Sequence, residues 1–433
     1  MTPSQDLAAR SRAAVWHPCT QMARLADLPP LPIARGDGPW LIDTEGRRYF
    51  DANSSWWVNL FGHSDKPLLG AIKTQLDTLP HVMLAGCTHE PAVRLAERLS
   101  ARTGGALGHV FFGSDGASAV EIALKQSFHS WKNRGQTTKR EFVCLKNSYH
   151  GETLGALSVT DVQVFRDAYD PLLMRAHIVA SPDARLDNET EALAAMRALL
   201  AARHSSIACV IVEPLVQGAA GMVMHSPAYL KGLRELTREF GVHLIADEIA
   251  VGCGRTGTFF AWEQSHAAWP DFLLLSKGIT GGTLPLSLVL TTDEVFSSFW
   301  SEDVTRGFLH SHSYTGNPLA CAAANAVLDR FDAGQLDSNR EQAERLARAF
   351  APLAPGVANL RQRGMILAFD VLDEKKQAPP RFAERFHLAA RAHELLIRPI
   401  GATVYLMPPY LIDDATAAFL AGAVTATLND VLA

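Results

Sequence analysis

Val242-His243-Leu244-Ile245-Ala246-Asp247-Glu248 and, a little further on, Phe272-Leu273-Leu274-Leu275-Ser276-Lys277-Gly278 decide how this chain reads. Each is an apolar run of strand length that ends on polar or charged residues. A run that is apolar at every position, without the alternation of a half-exposed strand, belongs to a sheet buried on both faces. Between about residues 105 and 295, similar runs at 109–112, 141–145, 177–180, 207–212 and 286–290 bring the set to seven, and helical patterns separate several of them. The pattern predicts an α/β fold with a large, mostly parallel seven-stranded sheet covered by helices.

Two of those helices have legible ends. One is expected over 118–134, with Val120, Ala123, Leu124, Phe128 and Trp131 at helical spacing, Glu121 within reach of Lys125, and Gly135 as the stop. The other starts at Ser226-Pro227, a cap with proline at the first helical position, and stops before Gly241. Beyond about residue 330 the character changes to a charged helix over 338–351, a strand over 365–371, a break at Pro379-Pro380, a helix, and short strands around Ile397 and Tyr405. Near the other end, Trp40-Leu41-Ile42-Asp43 turns at Glu45-Gly46 into Arg48-Tyr49-Phe50, a hairpin too short to fold alone. The expected organisation is a large domain over 66–330, and a smaller α+β domain over 331–433 with the segment 1–65 packed beside it.

Composition excludes several classes. With 433 residues, 48% hydrophobic and 20% charged, the chain can bury a sizeable core and is not a disordered polymer. Forty basic against forty-five acidic residues give a net charge of −5 without a basic run, so nucleic acid is not an expected partner. The start, Met1-Thr2-Pro3-Ser4-Gln5-Asp6, lacks the pattern of a secretory signal, and no uninterrupted apolar segment reaches membrane-span length; a cytoplasmic protein with no membrane partner is expected. Six cysteines scattered without a Cys-x-x-Cys pair read as idle or buried thiols.

In an open parallel sheet, ligands bind beyond the carboxyl ends of the strands. The first strand is followed by Gly113-Ser114-Asp115-Gly116-Ala117-Ser118 and a helix, the second by Asn147-Ser148-Tyr149-His150-Gly151; the fourth ends in Glu213-Pro214, the fifth in Asp247-Glu248, the sixth in Ser276-Lys277-Gly278. Gly116, Ala117 and Ser118, opening a helix, aim unpaired amides and the positive helix end at one point, which suits a phosphate; alone, such a turn is more often only a cap. Asp247, partly buried, requires a positive or N–H partner, and a pyridinium nitrogen would serve. Lys277 should project its amine into partly apolar space, which lowers its pKa and makes it nucleophilic. Taken singly, each of these two could be half of a structural ion pair. Together, Lys277, Asp247, the 116–118 turn and the aromatic Tyr149 supply what pyridoxal 5′-phosphate needs: a lysine for the aldehyde, an acid for the ring nitrogen, a phosphate cradle and a stacking face.

Gly252-Cys253-Gly254-Arg255-Thr256-Gly257 matches the dinucleotide fingerprint, but Asp247-Glu248 separates it from the strand and Thr258-Phe259-Phe260 does not begin a helix. The absence of a Gly-Lys dipeptide removes a P-loop, and His310-x-His312 lacks further ligands to complete a metal shell.

On these residues the chain resembles the class III, fold-type I pyridoxal-phosphate aminotransferases over nearly its whole length. Ile245-Ala246-Asp247-Glu248-Ile249 with Gly254-Arg255-Thr256-Gly257 is similar to the family's ring-nitrogen segment, and Ser276-Lys277-Gly278 with Gly281-Gly282 to its lysine segment. Tyr149-His150-Gly151 resembles the ring-stacking element, Glu213-Pro214 the carboxylate beside it, and the run from His310 to Pro318 the segment whose hydroxyl reaches a cofactor phosphate across the dimer. The resemblance implies a homodimeric transaminase in which Lys277 carries the cofactor and moves the proton, Asp247 keeps the ring nitrogen protonated, and Ser313 of the partner subunit completes the phosphate site. Trp16-His17-Pro18-Cys19-Thr20-Gln21-Met22, Ser54-Ser55-Trp56-Trp57, and Arg398-Pro399 with Tyr405-Leu406-Met407-Pro408-Pro409-Tyr410 resemble the branch of the family that works in biotin synthesis. That likeness implies S-adenosylmethionine as amino donor and 8-amino-7-oxononanoate as acceptor. It also implies that Trp56, Tyr149, Lys277, Ser311 and Arg398 line the substrate site, Arg398 receiving the keto acid's carboxylate and Trp56 its aliphatic chain. Two positions depart from the pattern: Cys19 stands where many members have tyrosine, and Ala117 where a hydroxyl residue is common. Lysine as donor, an ω-amino acid:pyruvate enzyme, a decarboxylase or aminomutase, and a noncatalytic ligand-binding relative remain alternatives at this stage.

Overall fold

The computed structural model describes residues 3–372, 377 and 379–433. Met1 and Thr2, where the reading of the N-terminus begins, lie outside them. The chain divides into two compact units, Pro67–Asp337 on the one hand and Met1–Lys66 with Ser338–Ala433 on the other.

In the latter unit, strands β1 (Ile33–Asp37), β2 (Trp40–Asp43) and β3 (Arg48–Asp51) form an antiparallel meander. Asp43 builds the turn between β2 and β3. Its Oδ1 accepts the amides of Glu45 and Arg47, both at 2.9 Å, and its Oδ2 accepts Arg47 Nε at 2.8 Å and the Tyr49 hydroxyl at 3.1 Å. Gly46, at φ +84°, supplies the left-handed residue the turn needs.

The Pro67–Asp337 unit holds the predicted sheet. Its strands are β4 (His109–Gly113), β5 (Glu141–Leu145), β6 (His177–Val179), β7 (Ile207–Val212), then a small hairpin of β8 (Val216–Gln217) and β9 (Val223–Met224), and β10 (His243–Asp247), β11 (Phe272–Leu275) and β12 (Ser287–Thr291). The seven-stranded order is β4-β12-β11-β10-β7-β5-β6, in which only β12 runs antiparallel to its neighbours. Every residue of β7, β10, β11 and β12 is buried, which is why these runs carry no polar alternation. The strand expected over 242–246 lies one residue later, so Asp247 is its last paired residue, opposite Leu274, instead of the first residue beyond it.

The helix Gly116–Asn133 begins two residues before its expected start, because Asp115 caps it by accepting the Ser118 amide at 3.0 Å. Ala119, Val120, Ile122, Ala123 and Leu124 bury the stripe that faces the sheet core with Phe142, Cys144, Ile211, Ile245 and Leu274. The expected Glu121–Lys125 pair does not form: Glu121 accepts the amide of Gly155 at 2.8 Å, and Lys125 Nζ lies 2.8 Å from His310 Nδ1. The helix Pro227–Glu239 starts as predicted behind Ser226 and proline.

Returning to the smaller unit, β13 (Ala358–Arg363), β14 (Ile366–Asp370) and β16 (Thr403–Leu406) form a separate antiparallel sheet, while β15 (Leu395–Leu396) adds in parallel to β3. The sequence reading misses β13, whose residues Ala-Asn-Leu-Arg-Gln-Arg are too polar to stand out, and the closing helix Asp414–Leu432. That helix is long and apolar enough to cross a membrane by length and composition. Yet Ala417, Leu420, Val424, Leu428 and Val431 are buried at three- and four-residue spacing, the stripe of a core helix in this unit.

Candidate active site

Three loops beyond the strand ends converge in the large unit. After β5, Tyr149 donates its amide to Glu213 Oε2 at 3.0 Å, and Gly218 donates to Oε1 at 3.0 Å, so the carboxylate following β7 ties the Tyr149 loop in place. Burial pushes Glu213 up to about 7. Beside it His150 Nδ1 and Asp247 Oδ2 lie 2.7 Å apart, both residues buried, and Asp247 Oδ1 accepts the Ile249 amide at 3.1 Å. His150 Nε2 is buried with no hydrogen-bond partner among the described residues. Burial also lowers the Lys277 amine, opposed by the attraction of Asp247 and Glu213, which brings the lysine into the same cluster. Lys277 takes φ +48° between extended Ser276 and a tight turn ending at Gly281, with Ser276 Oγ held to the Leu286 carbonyl at 2.8 Å. A non-glycine residue in that conformation is strained by about 1–3 kcal/mol, tolerable where the surroundings fix it for a purpose.

The helix start at Gly116 closes one side of the cluster. A Cβ on Gly116 would lie 3.0 Å from Ile249 Cγ2, and one on Gly151, at φ +125°, only 2.6 Å from the Ala117 methyl. The 116–118 turn therefore packs directly against the loops that carry His150 and Asp247. Among the described residues the amides of Gly116 and Ala117 have no acceptor, as the first donors of a helix N-terminus do. Ser118 differs, since Asp115 takes its amide at 3.0 Å and its hydroxyl at 2.7 Å. Glu248 also parts from Asp247: its Oε2 and Oε1 accept the amides of Ala261 and Trp262, each at 2.7 Å, so it braces the loop that mimics a dinucleotide fingerprint, and burial pushes it up to about 8. The Tyr149 hydroxyl donates to Glu152 at 2.8 Å and its ring lies 5.4 Å from that of Phe165. Ser311 and Ser313 are exposed. Sequence reasoning quoted His150 without giving it a role; the signal was available, since a buried Asp247 demands a partner.

Trp56 and Arg398 belong to the smaller unit. The helical turn Ser54–Trp57 has φ of +50°, +47°, +73° and +75°, four consecutive left-handed residues without a glycine. Each costs about 1–2 kcal/mol, so the surroundings must hold the turn. Asp51 Oδ1 accepts the Ser55 amide at 2.9 Å and its Oδ2 the Ser55 hydroxyl at 2.6 Å, with His63 Nε2 3.0 Å away. Trp57 is core, 5% exposed, its indole N–H given to the Tyr405 hydroxyl at 3.0 Å, whereas Trp56 is 49% exposed. The Arg398 guanidinium carbon stands 5.9 Å from the Trp56 ring centroid and its Nη2 3.5 Å from the Cys19 carbonyl, with no carboxylate paired to it among the described residues. Trp56 is thus not a core residue like its neighbour.

The chain matches the aminotransferase class-III family over residues 21–428. A relative from Helicobacter pylori, named adenosylmethionine-8-amino-7-oxononanoate aminotransferase, is 43% identical over 426 residues, 95% of either chain. The crystal structure of the protein of that name from Methanocaldococcus jannaschii superposes with a TM-score of 0.94 at 34% identity, covering 99% of both chains. An amine transaminase from an uncultivated Pseudomonas species, solved in its PLP-bound form, gives a TM-score of 0.91 at 30% identity over 96% of this chain and 99% of its own.

Proposed function

The chain belongs to the class-III aminotransferases, PLP-dependent enzymes of the fold seen here, and from that premise we propose that it transfers the amino group of S-adenosylmethionine to 8-amino-7-oxononanoate, giving 7,8-diaminononanoate in biotin synthesis. The observation that carries this reading is the pairing of an exposed tryptophan with an arginine that meets no carboxylate among the described residues, in a chain 43% identical to a relative named for that reaction.

Pyridoxal 5′-phosphate supplies an electron sink for the carbanion left when the donor carbon loses its proton. The residues present fit that group: a buried carboxylate, a lysine made less basic by burial, and unpaired helix-start amides close together suit its ring nitrogen, aldehyde and phosphate in turn. On this reading Asp247, fixed by His150, holds the proton on the ring nitrogen. Lys277 would hold the cofactor covalently, and its amine, made less basic by burial, would carry the proton to and from the substrate carbon. Glu213 fixes the backbone of Tyr149, whose ring would supply a stacking face for the cofactor. Gly116 and Ala117 hold the phosphate through their amides, with Ser118 at the same turn. Arg398 would receive the acceptor's carboxylate through a planar fork and Trp56 would cover its chain, and the family resemblance assigns Tyr149 and Ser311 to the substrate as well. The enzyme works in the cytoplasm as a homodimer, Ser313 of the partner subunit adding a phosphate contact. The exposed positions of Trp300, Leu309 and Tyr314, 79%, 77% and 64% open, support a covering subunit beside that segment.

Lys277→Ala should abolish both the visible absorption of lysine-bound cofactor and the first half-reaction. Arg398→Ala should raise KM for the keto acid at least tenfold and leave reaction with the donor within about twofold. Equal losses for both substrates count against the placement of Arg398. The likeness to an amine transaminase favours one competing reading, and efficient turnover with pyruvate but none with 8-amino-7-oxononanoate would establish it in place of ours.

A further inference from the structure

The unit formed by the two ends of the chain holds a cavity of about 670 Å³ whose charged walls are Arg47, Arg48, Arg391 and Glu394. It lies where the turn between β2 and β3 meets the chain entering β15. The Phe50 amide donates to the Glu394 carbonyl at 2.8 Å, and Leu395 then pairs in parallel with Phe50, so the segments that carry the three arginines are tied together. Lys277 and its cluster belong to the other unit.

Two of the guanidiniums are matched by acids. Arg47 Nε meets Asp43 at 2.8 Å and its Nη2 meets Glu45 at 3.1 Å, while Arg48 gives Nε and Nη2 to one oxygen of Glu394 at 3.2 and 3.1 Å. Both arginine side chains are more than half exposed, and ion pairs in that setting are worth about 0–1 kcal/mol, so either can turn a donor to a better acceptor at small cost. Arg391 differs. It is half-buried, burial works against its charge, and no carboxylate pairs with it among the described residues. Its Nη1 donates to the Pro29 carbonyl at 3.1 Å and its Nη2 to His387 Nε2 at 2.9 Å. That imidazole is a neutral acceptor: its Nδ1 lies 2.8 Å from the Ile397 carbonyl, which only accepts, so the proton sits there, and burial lowers the group to about 4. Arg391 Nε is buried without a hydrogen-bond partner among the described residues. Neutral acceptors satisfy N–H groups and leave the charge uncompensated, and a charge removed from water ordinarily has a counter-charge.

We propose that this cavity binds a small oxyanion, a phosphate or carboxylate group, with Arg391 as its anchor and Arg47 and Arg48 closing on it from the turn. A guanidinium offers such a group a planar fork of donors. The volume falls in the range of about 300–1,000 Å³ common to small-molecule sites, so the anion can be one end of a larger metabolite. The inference does not depend on which amino donor or acceptor the enzyme uses.

The test titrates holoenzyme, in which the cofactor's own phosphate site is filled, with inorganic pyrophosphate and separately with malonate, by calorimetry. At least one of them should bind at about one site per chain with Kd below about 1 mM. Binding of pyrophosphate alone marks the ligand as phosphate-bearing, and binding of malonate alone marks it as a carboxylate. Arg391→Gln should weaken binding at least about tenfold, the loss expected for a hydrogen bond to a charged group. Arg238→Gln, which removes an exposed arginine of the other unit, and Arg398→Ala should each stay within about twofold of wild type. Binding of neither anion to wild type overturns the proposal, as does unchanged affinity in Arg391→Gln or an equal loss in Arg238→Gln. Loss in Arg398→Ala with retention in Arg391→Gln also overturns it, by moving the anion to the substrate site. If Arg391→Gln does not fold, Arg47→Gln and Arg48→Gln together, both at exposed positions, carry the comparison: a loss of about tenfold supports the site and unchanged affinity refutes it.

Discussion

Gly151→Ala attacks the point where the stacking loop meets the helix start. At φ +125° Gly151 sits where side chains are rarely tolerated, and a Cβ there would lie 2.6 Å from the Ala117 methyl and 2.9 Å from its Cα. Ordinary contact begins at about 3.4 Å, so the two segments must separate by roughly 3.4 − 2.6 = 0.8 Å. Moving packed backbone by that much costs about 1–3 kcal/mol, and the backbone conformation adds about 1–2 kcal/mol. Because Ala117 carries one of the two free amides, about 2 kcal/mol of this should appear as lost cofactor affinity, near thirtyfold. The control is Gly135→Ala at the far end of the same helix, φ +78° with nothing within 4 Å of the added carbon, which should lose stability and no cofactor affinity. Titrating apoprotein with pyridoxal 5′-phosphate and following bound absorption measures both. If Gly151→Ala binds as wild type does, or if the control weakens binding equally, the packing argument for the phosphate turn is refuted.

His150→Phe removes the imidazole at 2.7 Å from Asp247 and leaves that buried carboxylate with the Ile249 amide. A lost hydrogen bond to a charged group is worth about 1.5–3 kcal/mol, so apoprotein stability should drop by that order and the bound cofactor's absorption should titrate at a shifted pH; neither changing would show that His150 does not hold Asp247. Glu248, at about 8 in the fold against 4.5 unfolded, retains its proton more tightly when folded. Its contribution is therefore fully present below pH 4.5 and is lost as pH rises through 8, at up to about 1.4 kcal/mol per pH unit. Glu248→Gln should flatten the fall of urea midpoint with pH across that window, and an unchanged slope would place the titration elsewhere.

Much of the large unit was legible because burial on both faces of a parallel sheet writes itself as unbroken apolar runs, and because Asp247 and Lys277 end two of them. β13 was not legible, since a strand lying mostly at intermediate burial can carry Arg361, Gln362 and Arg363. The Glu121–Lys125 pair was expected from spacing along one helix, but a buried amide at Gly155 competes more strongly for the carboxylate than a solvated lysine does.

What the chain's linear order determined was which residue types end which strands, and hence that a lysine, an acid, an aromatic and a helix start lie along one sheet edge. Local pattern suffices for that, because strand periodicity and capping act over a few residues. Tertiary structure alone decided who partners whom: His150 on Asp247, Glu213 on the Tyr149 amide, Glu248 turned to another loop, Ser118 given to Asp115, and Asn53 joining Arg398 to the tryptophan turn. Those choices follow from desolvation, which drives most buried polar groups to find a partner in space, often far along the chain, as Asn53 and Arg398 do across 345 residues.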